Sequence, residues 1–369
     1  MKKKKILKPF LFLVLVLFPS CISDEVVTTR FRPDGTLVRE VEFFSDREQF
    51  DPGELATPVD STWKIRVVRD TVDTSRYRVR ASKEYAGVEE LNADYRNIPT
   101  TLEGVKREVS FEKKFMWFYT FYYYQETVYT PFSGVPVRNY LTEEELAFLQ
   151  RNAGRTGFGL LPLSDIDEPL DASDLRYLPP SLQGEDTAAL KDYYVRVQQR
   201  FRTWMADAFF HLWWQGMEKV VTEHPGGAFT PARLTAERDT LRRLYRKVFF
   251  NLLGDDLLSQ YFRERFGLSP DTLMTKYAKV FERYNDLAES NLLFTAYENR
   301  VVMPGKVFDT NADEAEDEVL SWWVGAVRFL PGDMDMFAAS RVPNYWAWAV
   351  ALMIVIFAVM MFIIPKKKR

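Results

Sequence analysis

The sequence predicts an α+β protein: an antiparallel β-sheet domain interrupted by a large helical insertion, with one transmembrane helix at the C-terminus. Three observations predict it. Apolar and polar residues alternate in short runs before residue 138 and again after residue 298, the period of half-buried strands. Between them, residues 186–293 carry apolar residues at steps of three and four, the period of a helix. Residues 345–364 are apolar or aromatic throughout.

The elements follow in order. Residues 26–32 and 36–44 are β-rich and flank Pro33-Asp34-Gly35, so they form a hairpin. Trp63, Ile65 and Val67 alternate with Lys64 and Arg66, and Tyr77, Val79 and Ala81 alternate with four polar neighbours. A short helix is expected over 88–95. The stretch 106–129 centres on ten residues from Phe115 to Tyr124, nine of them apolar or aromatic. As one strand it would need cover on both faces. Trp117, Tyr119, Tyr122 and Tyr124 on it are the candidate aromatic surface for an apolar or sugar ligand, with a plain central strand as the other reading.

Thr142 with Glu145 is a capping box that opens a helix to about Asn152. Residues 154–184 read as a long loop. The stripe Leu190, Tyr194, Val197, Phe201, Trp204, Ala208, Leu212, Val220 defines one long helix, and Phe209, Phe210, Trp213 and Trp214 widen it into bundle core. Thr230-Pro231 and Ser269-Pro270 open further helices, a side-chain cap followed by proline in the first turn. A third helix between them ends at Gly267. Residues 298–308, 319–329 and 335–342 return to strand character.

The ends are predicted to be membrane attachments. Residues 1–20 form a secretory signal, with lysines before an apolar run and Pro19-Ser20-Cys21 at its close. Cys21 is the chain's only cysteine, so no disulfide is available, and its place after a small residue resembles the lipobox of bacterial lipoproteins. That resemblance implies cleavage before Cys21 and acylation of its thiol and new amine. At the other end Tyr345, Trp346 and Trp348 would lie at headgroup level. Ile354 would sit in the hydrocarbon and Ile364 at the far side, with the cations of 366–369 in the cytoplasm. The expected divisions are thus 1–20 signal, 21–138 and 294–343 sheet domain, 139–293 helical insertion, 344–364 membrane helix and 365–369 basic tail. Two consecutive domains are the alternative to an insertion. Short linkers at both ends would bring the first and last strands to one edge of a single sheet domain.

Charge narrows the partners. Without the nine cations of leader and tail, 49 Lys and Arg fall to about 40 against 52 Asp and Glu, a net near −12. This argues against nucleic acid and against a polybasic grip on anionic lipid. No catalytic residue, metal or cofactor emerges. His211 and His224 are the chain's two histidines, and no Gly-x-Ser-x-Gly elbow accompanies them. Asp309, Asn311 and Asp313 alternate like the start of a calcium loop, but Glu314 stands where that loop needs glycine. The acidic residues Asp165, Asp167, Glu168, Asp171 and Asp174 could supply a carboxylate pair for a hydrolase of envelope glycan.

Met303-Pro304-Gly305-Lys306-Val307, Asn311-Ala312, Trp322 and Ala339-Ser340 before a closing apolar helix resemble the C-terminal half of LppM-type bacterial lipoproteins. The resemblance implies an envelope lipoprotein that meets lipid or glycolipid, and it carries no catalytic residue. The expected protein is a non-enzymatic lipoprotein of the bacterial cytoplasmic membrane. Its ectodomain would be extracytoplasmic, and its partners membrane lipid and an envelope protein or amphiphile. A carboxylate-dependent glycan hydrolase is the alternative.

Overall fold

The structure is a computed structural model that describes residues 22–102, 104–152, 177–249, 255–289, 295–316 and 318–363. The expected signal 1–20, Cys21, the five acidic residues of the hydrolase alternative, Ile364 and the basic residues 366–369 lie outside the described residues.

Six strands precede the helical block: β1 (Ile22–Phe31), β2 (Leu37–Ser45), β3 (Lys64–Arg69), β4 (Tyr77–Tyr85), β5 (Arg107–Phe115) and β6 (Tyr119–Val128), with helix α1 (Val88–Asn97) between β4 and β5. Five follow it: β7 (Ala296–Val302), β8 (Lys306–Thr310), β9 (Glu314–Glu316), β10 (Val319–Gly325) and β11 (Met334–Pro343). They form two sheets, a larger one ordered β3-β4-β2-β1-β7-β10-β9 and a smaller one ordered β5-β6-β11-β8. Each sheet combines strands from before and after the helices. The inner faces meet through Phe31 stacked on Phe111, Tyr124 against Trp322, and the Trp322 indole N–H donating to Asn311 Oδ1 at 2.9 Å.

Several expectations are corrected here. The sheet is not wholly antiparallel, since β1 and β7 run parallel and place the first strand mid-sheet. The stretch 106–129 is a hairpin rather than one strand. Met116 and Tyr119 exchange both backbone hydrogen bonds around Trp117-Phe118, a two-residue loop with none of the usual turn residues. Residues 298–308 split at Pro304-Gly305, where the chain passes from the larger sheet to the smaller. Gly305 has φ +75, and a Cβ there would lie 2.5 Å from the Arg341 carbonyl oxygen, so only glycine fits the crossing. Residues 319–329 end in a short helix, α9 (Ala326–Phe329).

The helical block comprises α2 (Glu143–Asn152), α3 (Thr187–Glu223), α4 (Pro231–Ala236), α5 (Arg238–Phe249), α6 (Asp255–Phe266), α7 (Pro270–Lys276) and α8 (Ala278–Glu289). The capping box forms as its residues demand, with Thr142 N–H donating to Glu145 and Glu145 N–H to Thr142 Oγ1. Asp186 caps α3, whose 37 residues reach about 55 Å. Mid-helix, Phe209, Phe210, Trp213 and Trp214 are all buried, as expected for bundle core.

The last helix, α10 (Tyr345–Ile363), corrects the membrane expectation. Its 19 residues measure about 28 Å, and its first turn is committed to the smaller sheet. Beyond Trp348 roughly 15 residues remain, about 22 Å, against a hydrocarbon thickness near 30 Å. Among the described residues no helix is long and apolar enough to cross a membrane.

The two chain ends are also not neighbours. Glu25, near the start of β1, binds the Ala56 backbone beside Arg107, while Pro33 beyond its end accepts from Lys113. β1 therefore runs alongside β5 in the same sense, toward the end where β11 meets α10. The entry at Ile22 and the exit at Pro343 lie at opposite ends of the sandwich, in different sheets.

Candidate functional site

The site is built at the exit end, from the β5–β6 tip and the first turn of α10. One residue holds them together. Asn344 donates its side-chain amide to the carbonyls of Met116 (2.9 Å) and Trp117 (3.2 Å) and accepts from the Thr120 hydroxyl at 3.0 Å. Its backbone N–H donates to the Phe118 carbonyl at 2.8 Å, and its own carbonyl accepts from Ala347, opening the helix. The tip thus keeps its backbone polar groups satisfied while its aromatic side chains point outward.

Those side chains form a collar. Trp346 stacks on Phe115 with ring centres 6.3 Å apart and meets Trp117 edge-on at 5.2 Å. Trp348 packs on Phe118 at 4.4 Å and on Tyr119 at 6.2 Å. Phe115, Met116, Trp117, Tyr345, Trp346 and Trp348 stay exposed, and Ala347 alone of the first turn is buried. Above the collar α10 is apolar on every side: Leu352, Met353, Ile354, Val355, Ile356, Phe357 and Met361 are all exposed. Exposed apolar surface this continuous marks a docking or lipid-facing region.

The four candidate residues of the hairpin do not form one surface. Alternation along β6 turns Tyr122 and Tyr124 into the interlayer core, where both are buried. Trp117 and Tyr119 join the collar instead. The outward set of β6 is Tyr119, Phe121 and Tyr123, of which Tyr123 is exposed, so the second face expected to be covered is open.

A buried polar network lies between the sheets and escaped sequence reasoning. Arg107 donates to the Ala56 carbonyl (2.7 Å), Tyr297 (2.7 Å), Tyr95 (3.1 Å) and Glu126 (3.0 Å). Glu126 also accepts from Tyr124 at 3.0 Å, and Asn299 donates to Tyr124 at 3.2 Å. Burial would raise the Glu126 carboxyl, but the Arg39 and Arg107 guanidiniums hold it below the ordinary carboxylate range. Arg39 is wholly buried, 3.9 Å from Glu126, with no hydrogen-bond acceptor at any of its three guanidinium nitrogens. The Glu25 carboxyl is pushed upward by burial despite accepting from Ala56 and Thr57. The signal was present in the sequence: Arg39 occupies the apolar register of β2 between Leu37 and Val41.

The remaining polar candidates are bracing. Asn311 accepts from Trp322 and the Phe337 N–H and donates to the Asp335 carbonyl, tying both sheets. Asp313 accepts from the Trp323 N–H and pairs with Arg328. His211 lies 3.1 Å from the Gln215 amide, and His224 stacks on Tyr277. Among the described residues no cluster of three His, Cys, Asp or Glu is close enough to hold a metal. In the helical block, Asp207 is gripped by Arg242, Arg246 and Tyr140; burial would raise its carboxyl, but these partners hold it at about 2.

Comparison with family models, with characterised proteins and with solved structures finds no match for this chain.

Proposed function

We propose that the protein is a membrane-attached bacterial envelope lipoprotein with a non-enzymatic binding or structural role. It holds to lipid through the aromatic collar and α10, and through an acyl group at Cys21. The observation that carries this reading is the surface of α10. A helix that is apolar on all sides has no polar face to turn to water, so it needs an apolar medium around it. The collar supplies the amphipathic tryptophans and tyrosine that favour a headgroup layer. The lipobox and the LppM-like pattern support the same class, whose expected ligand is an amphiphile or an envelope protein. With both attachments in one membrane, the sandwich lies along the surface, because its ends are about 30 Å apart over the nine residues of β5.

Alkaline carbonate extraction of membranes tests this. Cys21→Ser is expected to stay in the pellet through α10 alone, because binding scales with buried apolar area and α10 exposes more of it than one acyl chain. Cys21→Ser combined with Ile354→Glu and Phe357→Glu is expected to be released. Release of Cys21→Ser by itself would show that α10 is not in lipid.

A further inference from the structure

We infer that the outer face of the smaller sheet carries a binding site for anionic phospholipid headgroups, immediately beside the collar; this rests on the membrane reading above. In the four-stranded sheet, Lys114 pairs with Phe121, Phe121 with Arg341, and Arg341 with Lys306. Residues directly opposite in antiparallel strands share a face. The row therefore presents three cations and one aromatic ring outward, and all three cations are exposed. It spans roughly 14 Å across four strands.

Its placement is set by register. The next outward position toward the collar is Tyr119, paired with Pro343, so the row lies about 7 Å from residues that touch Trp348. Where the collar sits at the headgroup layer and the smaller sheet faces the membrane, the row meets phosphates.

The charges themselves ask for an anion. Arg341 and Lys306 are like charges directly opposite one another, an arrangement that destabilises a sheet. Among the described residues neither has a carboxylate within ion-pair distance. Lys114 has the exposed Glu112 at 3.2 Å, a contact of little strength in water, and lies over the Tyr123 ring. Arg341 instead lies over the rings of Tyr119 and Phe308, and Phe308 is exposed against Phe121. Cations bracketed by aromatic rings suit a phosphate joined to an apolar chain. The negative net charge of the ectodomain does not oppose this, because charges further off than about 8 Å are screened at physiological salt. The anionic side chains Glu112 and Asp309 stand one outward position further from the collar.

Tryptophan quenching in vesicles of equal parts phosphatidylcholine and phosphatidylglycerol tests the site. Bromine is placed on the acyl chains of one lipid or the other, with the full chain reconstituted. Brominated phosphatidylglycerol is expected to quench as though about fivefold favoured, at least the factor a single surface cation supplies. The preference should fall to near one in K114Q/K306Q/R341Q and persist in K64Q/R66Q/R69Q, which removes three exposed cations from the distant edge strand β3. Equal quenching by both lipids in the unaltered protein, or a preference that survives in K114Q/K306Q/R341Q, would overturn the inference and leave the membrane reading standing. Quenching by neither lipid would overturn the membrane reading, and this inference with it.

Discussion

Glu126→Gln is expected to be among the most damaging single changes outside the apolar core, and Arg39→Met among the mildest at a buried charge. Glu126 is the anion between two guanidiniums, 3.0 Å from Arg107 and 3.9 Å from Arg39, and all three side chains are almost wholly removed from water. A glutamine in its place would leave two buried cations facing each other across a neutral amide. Arg107 and Tyr124 donate to different carboxylate oxygens, so the glutamine NH2 would face one of these donors. Breaking a buried pair from one side costs about 3–5 kcal/mol. In a chain of this size that is roughly 5 °C in the thermal midpoint. Arg39→Met removes a cation whose guanidinium has no hydrogen-bond acceptor and leaves the Arg107–Glu126 pair intact, so the change should stay within about 1 kcal/mol of zero and could be stabilising. Near-ultraviolet circular dichroism in mild detergent, with temperature, measures both. Equal losses in the two variants would refute the reasoning, because they would mean that Arg39 is as well satisfied as Arg107.

Three further outcomes are expected. Gly305→Ala should cost about 2–4 kcal/mol, since it adds a Cβ 2.5 Å from the Arg341 carbonyl oxygen at a residue with φ +75; a thermal midpoint equal to the parent's would contradict the crossing geometry. Asn344→Ala should weaken docking of the β5–β6 tip on α10 by about 1–3 kcal/mol, read as faster chymotryptic cleavage at Trp117 and Phe118 with little change in overall midpoint. Asp207 has its carboxyl depressed from 3.8 to about 2, so its stabilising contribution is complete above pH 3.8 and is lost as pH falls toward 2. Asp207→Asn should therefore lower stability at neutral pH and flatten the acid limb of a pH titration between those values. An unchanged acid limb would place the proton uptake elsewhere.

What could be read from the sequence was whatever repeats with a period. The first hairpin, the capping box at Thr142 and the long helix from Asp186 all declare themselves through turn residues, caps or spacing, and the structure has them at those positions. The β5–β6 turn was illegible because Trp117-Phe118 carries no turn chemistry, and its closure depends on Asn344, 227 positions away in the chain. The parallel pairing of β1 with β7 is likewise a long-range choice that strand alternation cannot express. Within the candidate site, Trp346 and Trp348 stand out in the sequence by their place before an apolar run. Their partners Phe115 and Phe118 were hidden inside what looked like one continuous strand. Arg39 was visible as a charge in an apolar register, but which carboxylate would meet it depended on the packing of two sheets.

The opposite placement of the two chain ends has a mechanical consequence. Tension between an anchor upstream of Ile22 and another at α10 would pull β1 and β11 along their own lengths. β1 is flanked by β2 and β7, and β11 by β6 and β8, so each loaded strand is held on both sides. Under such shear the ladder hydrogen bonds on both flanks must give way together, rather than one at a time as in peeling. Were both ends attached, the sandwich would carry load from one to the other without opening.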